Sequence, residues 1–377
     1  MRVCFVAHSG IVGGAEKSLL ELVEALSGAG VPCLVVVPTR RWLSGELQKR
    51  GIQVRAIPFL PWAHPKPNLF HKTLYPLHYV LASLAIAIFA KRWRADLIYS
   101  SSITTCVGAI AAAVLRRPHV LHISEFVTED HGLYFDFGEA TSMAFLNRFT
   151  CAFVAASKAV ERKFRRYVRE SKIHTVYTSI AGPKSARVNP GHEDASLFEC
   201  LVLGKIHEGK GQADAVRAVS LLSGLGVPLR LRLVGASEPN YRHFLDVLVK
   251  EHGLSEIVRF EGVVVDPAPY LEGANVVLVC SRCEAFGRVT VEAMLWGKPV
   301  IGTHCGGTLE LIQNGITGLL YAPGEYRDLA CQIQYLYQHP SEAVAMGLRG
   351  RAWAQERFDV RRFTSEMHAI FDQATGS

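Results

Sequence analysis

The densest group of chemistry-bearing residues is the stretch Ser281-Arg-Cys-Glu-Ala-Phe-Gly-Arg-Val-Thr-Val-Glu292. Before it, Asn275-Val-Val-Leu-Val-Cys280 is a β-branched apolar run that reads as a buried strand. After it, Val289 to Trp296 reads as a helix ended by Gly297, and Lys298-Pro-Val-Ile-Gly302 starts the next strand. Glu284 therefore falls on a loop at the carboxyl end of a strand, and Glu292 in the first turn of the following helix. Gly287 between them lets backbone approach a ligand closely, and the free N–H groups of the helix start attract an anion. Amide donors suit a phosphate and carboxylates suit sugar hydroxyls, so the combination describes a sugar nucleotide.

A second group follows Phe198-Glu-Cys-Leu-Val-Leu-Gly204, where Lys205 and Lys210-Gly211 place two cations at a strand end beside a helix start. That arrangement suits a diphosphate, with lysine acting as a point charge rather than a bidentate fork. At the amino end, Arg2 to Ala7 reads as a strand, His8 to Gly14 as a glycine-bearing loop, and Ala15 to Ser27 as a helix carrying Leu19, Leu20, Leu22, Val23 and Leu26. Gly13 and Gly14 bring amides toward a phosphate. Neither G-x-G-x-x-G nor G-x-x-x-x-G-K-[ST] is present there. His122 stands at the end of the strand His119 to Ile123, where α/β folds place ligands; His119 competes with it from within the strand. Asp136-Phe-Gly138 has a kinase tripeptide without the glycine-rich loop, strand lysine and catalytic aspartate a kinase needs.

The elements that must position these residues alternate. Strands are expected at Leu34 to Pro38, Val54 to Ile57, Asp96 to Ser100, Ala152 to Ala156, Leu229 to Val234 and Val258 to Gly262, with helical patterns between most of them, which implies parallel sheets covered on both faces. With 377 residues, two doubly wound domains are expected: 1–180, a linker over 181–197, and 198–356. Phe59 to Tyr79, broken by prolines and carrying Lys66 and Lys72, reads as a surface loop. Tyr79 to Ala90 is the most apolar stretch, too short to span a bilayer, and reads as a buried core helix. Nine cysteines without regular spacing argue against a disulfide framework and for a reducing compartment. Cys280-Ser-Arg-Cys283 lacks a second pair to complete a zinc site, so no metal is expected. The N-terminus does not read as a signal peptide. Residues 1–180 carry net +10 and the remainder −3, so the first half favours an anionic surface or substrate. Arg162, Arg165, Arg166 and Arg169 would share one face of a helix running from Ser157 to about Arg169.

Glu284, seven residues and Glu292, with Phe286-Gly287 inside, resemble the E-x7-E motif of family 4 retaining glycosyltransferases of the GT-B fold. Gly297-Lys-Pro-Val-Ile-Gly302, Cys305-Gly-Gly-Thr-Leu-Glu310, Gly13-Gly14-Ala15-Glu16 and the Gly204 to Gly211 frame are similar to that family's pattern too. Lys205 replaces an arginine, and Thr178-Ser179-Ile180-Ala181 departs from the usual Asn-Gly-Ile/Val-Asp. The resemblance is strongest over residues 198–325. It implies two Rossmann-like domains facing each other across a cleft, with a C-terminal helix at about 357–377 crossing back onto the first.

The activity implied is transfer of a sugar from a nucleoside diphosphate, UDP or GDP, to an acceptor hydroxyl with retention and without a metal. His122, Glu284 and Lys210 would be catalytic. Gly13, Gly14, Lys205, Lys210, Glu284, Phe286, Gly287, Val289, Glu292 and Gly307 would hold the donor, with Glu292 on the ribose. Neither glutamate reads as a covalent nucleophile, and the resemblance implies front-face attack. A lipid-linked or saccharide acceptor, in glycolipid or surface-polysaccharide assembly, is expected, and no nucleic acid. The location implied is cytoplasmic, peripheral on an anionic membrane face. A sugar-nucleotide epimerase or hydrolase of the same fold, or a non-enzymatic anion-binding module, are the alternatives.

Overall fold

A computed structural model describes residues 1–67, 69–183 and 197–376. Most of the expected linker lies outside the described residues, as does the side chain of Leu69. The chain divides into two compact units, Met1–Ile180 with Phe358–Ser377, and Ala181–Arg357.

The first unit is built on β1 (Val3–Val6), β2 (Cys33–Val37), β3 (Gln53–Ala56), β5 (Leu97–Ser100), β6 (His119–Ile123), β8 (Ala152–Ala155) and β9 (Ile173–Thr175). They form one sheet in the order β3-β2-β1-β5-β6-β8-β9, every pair parallel. β1, β2, β5, β6 and β8 are buried along their whole length. That is why they read as unbroken apolar runs rather than alternating ones. One face packs against helix Gly14–Gly28 and helix Val360–Thr375, whose Phe363, Met367 and Phe371 join Phe5 and Tyr99 in a single core. Phe371 meets the Phe5 ring at 6.5 Å and the Tyr99 ring at 5.8 Å. Asp359 caps this helix by accepting from the N–H groups of Arg361 and Arg362.

The second unit repeats the plan with β10 (Phe198–Leu203), β11 (Leu229–Val234), β12 (Val258–Gly262), β13 (Val276–Val279), β14 (Val300–Thr303) and β15 (Leu319–Tyr321). The order is β12-β11-β10-β13-β14-β15, again parallel throughout. Strand order reverses between β10 and β13, the topological switch point where such sheets bind ligands at their carboxyl ends.

Three expectations need correction. Phe59 to Tyr79 is not a continuous loop. Ala63–His64 (β4) pairs antiparallel with Tyr134–Phe135 (β7), and helices Leu69–Thr73 and Tyr75–Arg92 follow, the second admitting Pro76 in its first turn, where a missing N–H costs nothing. The stretch Tyr79 to Ala90 is only half core. Tyr79, Ala82, Ser83, Ile86, Ala87 and Ala90 are buried, whereas Val80, Leu81, Leu84 and Ile88 are exposed. The helix starting after Ser157 ends at Phe164. Arg169 is extended and opens a separate short turn, so the four arginines do not share a helix face. The chain must turn back within a few residues to feed β9. Arg165 instead pairs with Glu161 and Glu170, and Arg166 with Glu139.

Candidate active site

In the second unit, the loops after β10 and β13 meet at the switch point. The turn Glu208–Lys210 follows β10 and leads through Gly211 into helix Gln212–Gly224. Gly211 has φ +62°, and a Cβ there would sit 2.1 Å from the carbonyl oxygen of Cys280. Only glycine lets the two loops touch. Arg282 N–H donates to Gly209 O at 2.8 Å. Its guanidinium grips Asp214 with both forks, at 2.8 and 3.0 Å. Asp214 is wholly buried and also accepts from Gly324 N–H at 3.1 Å, so each of its oxygens is satisfied, as a buried carboxylate requires.

This clamp places Lys210 against Glu284. The Lys210 ammonium donates to Glu284 Oε1, and Ser281 Oγ donates to the same oxygen at 2.5 Å. Thr303 Oγ1 holds Ser281 O at 2.7 Å. Gly307 N–H donates to Glu284 O at 2.7 Å, which joins the Cys305 to Glu310 loop to the group. Phe286 and Gly287 are buried. Gly287, at φ +99°, turns the chain into helix Arg288–Leu295. That helix begins one residue earlier than expected, so Val289 is its second residue and Glu292 opens its second turn. Glu292 lies 3.6 Å from Arg288 Nε. Lys205 stands apart from the Lys210–Glu284 pair in its bonding: it is more than half exposed, and its ammonium binds Glu238 at 2.5 Å. Lys205→Ala is therefore expected to cost transfer less than about threefold, the scale of a solvated ion pair, with Lys205→Arg close to wild type. A steady-state comparison of the two variants checks this.

In the first unit, Gly13 precedes helix Gly14–Gly28, and the buried Glu16 on that helix lies 3.2 Å from His8 Nε2. His119 and His122 share β6 and have opposite surroundings. His119 has both nitrogens engaged, by Ser100 Oγ and Thr150 Oγ1, each at 2.9 Å, a structural arrangement. His122 Nδ1 meets the Tyr99 hydroxyl at 2.6 Å, and its buried Nε2 has no partner among the described residues. Burial holds the His122 imidazole down at about 4, so at neutral pH it is uncharged. It acts as a hydrogen-bonding group, not as a cation.

Glu125, two residues beyond β6, escaped the motif reading although it closes the Val-Leu-His-Ile-Ser-Glu125 run. It is buried, accepts from Ser102 Oγ and from Ile103 N–H at 3.1 Å, and burial pushes its carboxyl up to about 8. Burial thus favours the protonated form of this carboxyl.

Both units match known families. Residues 13–178 match the family described as Glycosyl transferase 4-like domain, and residues 192–353 the family described as Glycosyl transferases group 1. The chain belongs to the family 4 glycosyltransferases of the GT-B fold. Among curated relatives of this glycosyltransferase, the D-inositol 3-phosphate glycosyltransferase of Arthrobacter sp. (strain FB24) is 31% identical over 53% of the chain and 48% of the relative. The N-acetyl-alpha-D-glucosaminyl L-malate synthase of Bacillus anthracis is 34% identical over 38% of each. The chain thus matches less than half the length of these curated relatives. Among solved structures, Anabaena HepE in complex with UDP-glucose superposes with a TM-score of 0.82 at 25% identity, covering 99% of this glycosyltransferase and 100% of HepE.

Proposed function

We propose that the enzyme transfers a sugar from a UDP-sugar to an acceptor hydroxyl with retention, in glycolipid or surface-polysaccharide assembly. The observation that carries this reading is the Lys210–Glu284 pair at the switch point of the second unit, beside the starts of helices Gln212–Gly224 and Arg288–Leu295. A diphosphate that takes over the Lys210 ammonium releases the Glu284 carboxylate to accept from sugar hydroxyls. One exchange of partners thus engages both ends of the donor. Lys210 and the helix-start amides then stabilise the charge that grows on the leaving diphosphate, the task a divalent ion performs elsewhere. Glu292 takes the ribose hydroxyls, and His122, neutral, hydrogen-bonds on the acceptor side. HepE, solved with UDP-glucose, supports uridine as the base.

A thermal-shift panel of UDP- and GDP-sugars tests the donor. At a hundredfold excess over Kd the matching donor adds about 2.7 kcal/mol to stability, and no stabilisation by any UDP-sugar overturns the reading. Transfer is expected to proceed at full rate without added magnesium or manganese. An absolute requirement for either ion would remove Lys210 from its role. Sugar release that is unaffected by any acceptor would favour the hydrolase alternative.

A membrane contact on the acceptor side is part of this proposal. Trp62, in the proline-broken stretch, takes no part in it: it is buried, its Nε1 donates to Ile103 O at 2.8 Å, and its ring packs edge-on against Phe135 and Phe145. The exposed stripe of helix Tyr75–Arg92 takes over that part. Among the described residues no helix is long and apolar enough to cross a membrane, and the contact proposed is peripheral.

A further inference from the structure

His64 on β4, His71 on helix Leu69–Thr73 and Asp136 just after β7 converge although 65 residues of chain separate the last two. One donor atom from each lies within 4.8 Å of the other two. His64 Nδ1 is 2.8 Å from Asp136 Oδ1 and His71 Nδ1 is 3.6 Å from the same oxygen. The two imidazole rings stack with centroids 4.0 Å apart, so both present the same edge to one carboxylate. That carboxylate is fully buried. Its other oxygen is 3.0 Å from the Tyr79 hydroxyl, which lies at the same distance from Pro61 O. The Tyr75 ring flanks both imidazoles.

We infer that His64, His71 and Asp136 form a zinc site that clips helix Leu69–Thr73 to the β4–β7 pair. A buried carboxylate needs a countercharge, and two stacked imidazoles would repel each other if both were protonated to supply it. A divalent ion on their common edge satisfies all three groups. Tetrahedral zinc with nitrogen and oxygen ligands at 2.0–2.2 Å holds neighbouring donor atoms about 3.4 Å apart, between the two distances found here. Two imidazoles and a carboxylate, without thiolate, suit zinc or cobalt over softer or all-oxygen ions. Tyr79 orients the carboxylate from behind, as outer-sphere partners of metal ligands do. The site is in the first unit, on other residues than the Lys210–Glu284 group, so it is independent of the diphosphate chemistry. Cys280 competes poorly for the ion, because it is buried and burial pushes its thiol up to about 12.

The test is titration of the metal-stripped full chain with zinc under chelator competition, and with cobalt followed by visible absorption. One equivalent of each is expected, with the intense d–d bands of tetrahedral cobalt. His71→Ala and His64→Ala are each expected to weaken zinc at least tenfold, and Tyr79→Phe to weaken it less. Asp136→Asn removes a buried charge and can unfold the segment, so the half-buried His71 is the deciding variant. A folded wild-type chain that takes up no stoichiometric zinc overturns the proposal. So does equal zinc affinity in His71→Ala, or cobalt absorption of thiolate type, which would move the ion to cysteine.

Discussion

Lys210→Ala is expected to lower the rate of sugar transfer by about 10²-fold, mainly in kcat, while the protein stays folded. A single preorganised donor to a charge that develops in the transition state is worth on the order of 2.7–4 kcal/mol. Lys210 differs from the solvated Lys205: it is only 30% exposed and is held on Glu284 by a loop that Gly211 and the Arg282–Asp214 clamp allow no room to shift. Glu284→Gln keeps the shape and removes the charged acceptor, a loss of about 1.5–3 kcal/mol. Because the two side chains are partners, their effects do not add. The double variant Lys210→Ala/Glu284→Gln falls short of the product of the singles by more than about 0.5 kcal/mol. Wild-type rates in either folded single variant, or strict additivity, would remove this pair from the reaction. Steady-state kinetics with circular dichroism as the folding control reads all three outcomes.

Replacing Leu77 and Leu81 with glutamate is expected to release the protein from anionic vesicles, with at least a tenfold loss in co-flotation. Leu77, Val80, Leu81, Leu84 and Ile88 recur at helical spacing on one side of Tyr75–Arg92 and are 40–66% exposed, and Phe70 and Leu74 extend the stripe at 54% and 55%. Contiguous apolar surface of this kind marks an interaction face. From residue 47 to residue 95 the chain has eight Lys and Arg and no Asp or Glu, and Lys66, Lys72, Lys91, Arg92 and Arg94 are exposed. Each basic side chain near an anionic bilayer contributes about 1 kcal/mol, and a side chain moved wholly out of water about 1.5–3 kcal/mol. Few of either suffice for reversible binding. The charge term weakens with salt and the apolar term does not. Equal binding of the wild type to neutral and anionic vesicles, or undiminished binding by the glutamate variant, would dismiss this face.

The alternation of strands and helices was legible because parallel strands buried on both faces are written as short, continuous apolar runs. β1 and β13 each fall where such a run predicts them. Glu284, Gly287 and Glu292 were legible as a set because a strand end, a tight turn and a helix start are adjacent in sequence. The arginine helix was misread because periodicity shows which residues could share a face, not where the chain must turn to reach its next strand. The helix Tyr75–Arg92 was misread for a related reason. It is apolar all round, so its composition announces burial, while helix Val107–Leu115, against which it packs, covers only one side.

Local order, then, was set by the sequence alone: two doubly wound units, glycine turns at strand ends, cations and carboxylates at helix starts. Those features depend on neighbours within a few residues, and steric and periodic rules act at that range. Tertiary structure decided every pairing across distance. It set His119 and His122 apart by giving the first two hydroxyl partners and the second one. It set Asp214 under Arg282, Lys210 on Glu284, and His64 and His71 around Asp136. These contacts follow from which strands lie side by side and which loops their carboxyl ends bring together, and strand order is fixed only when the sheet closes its core.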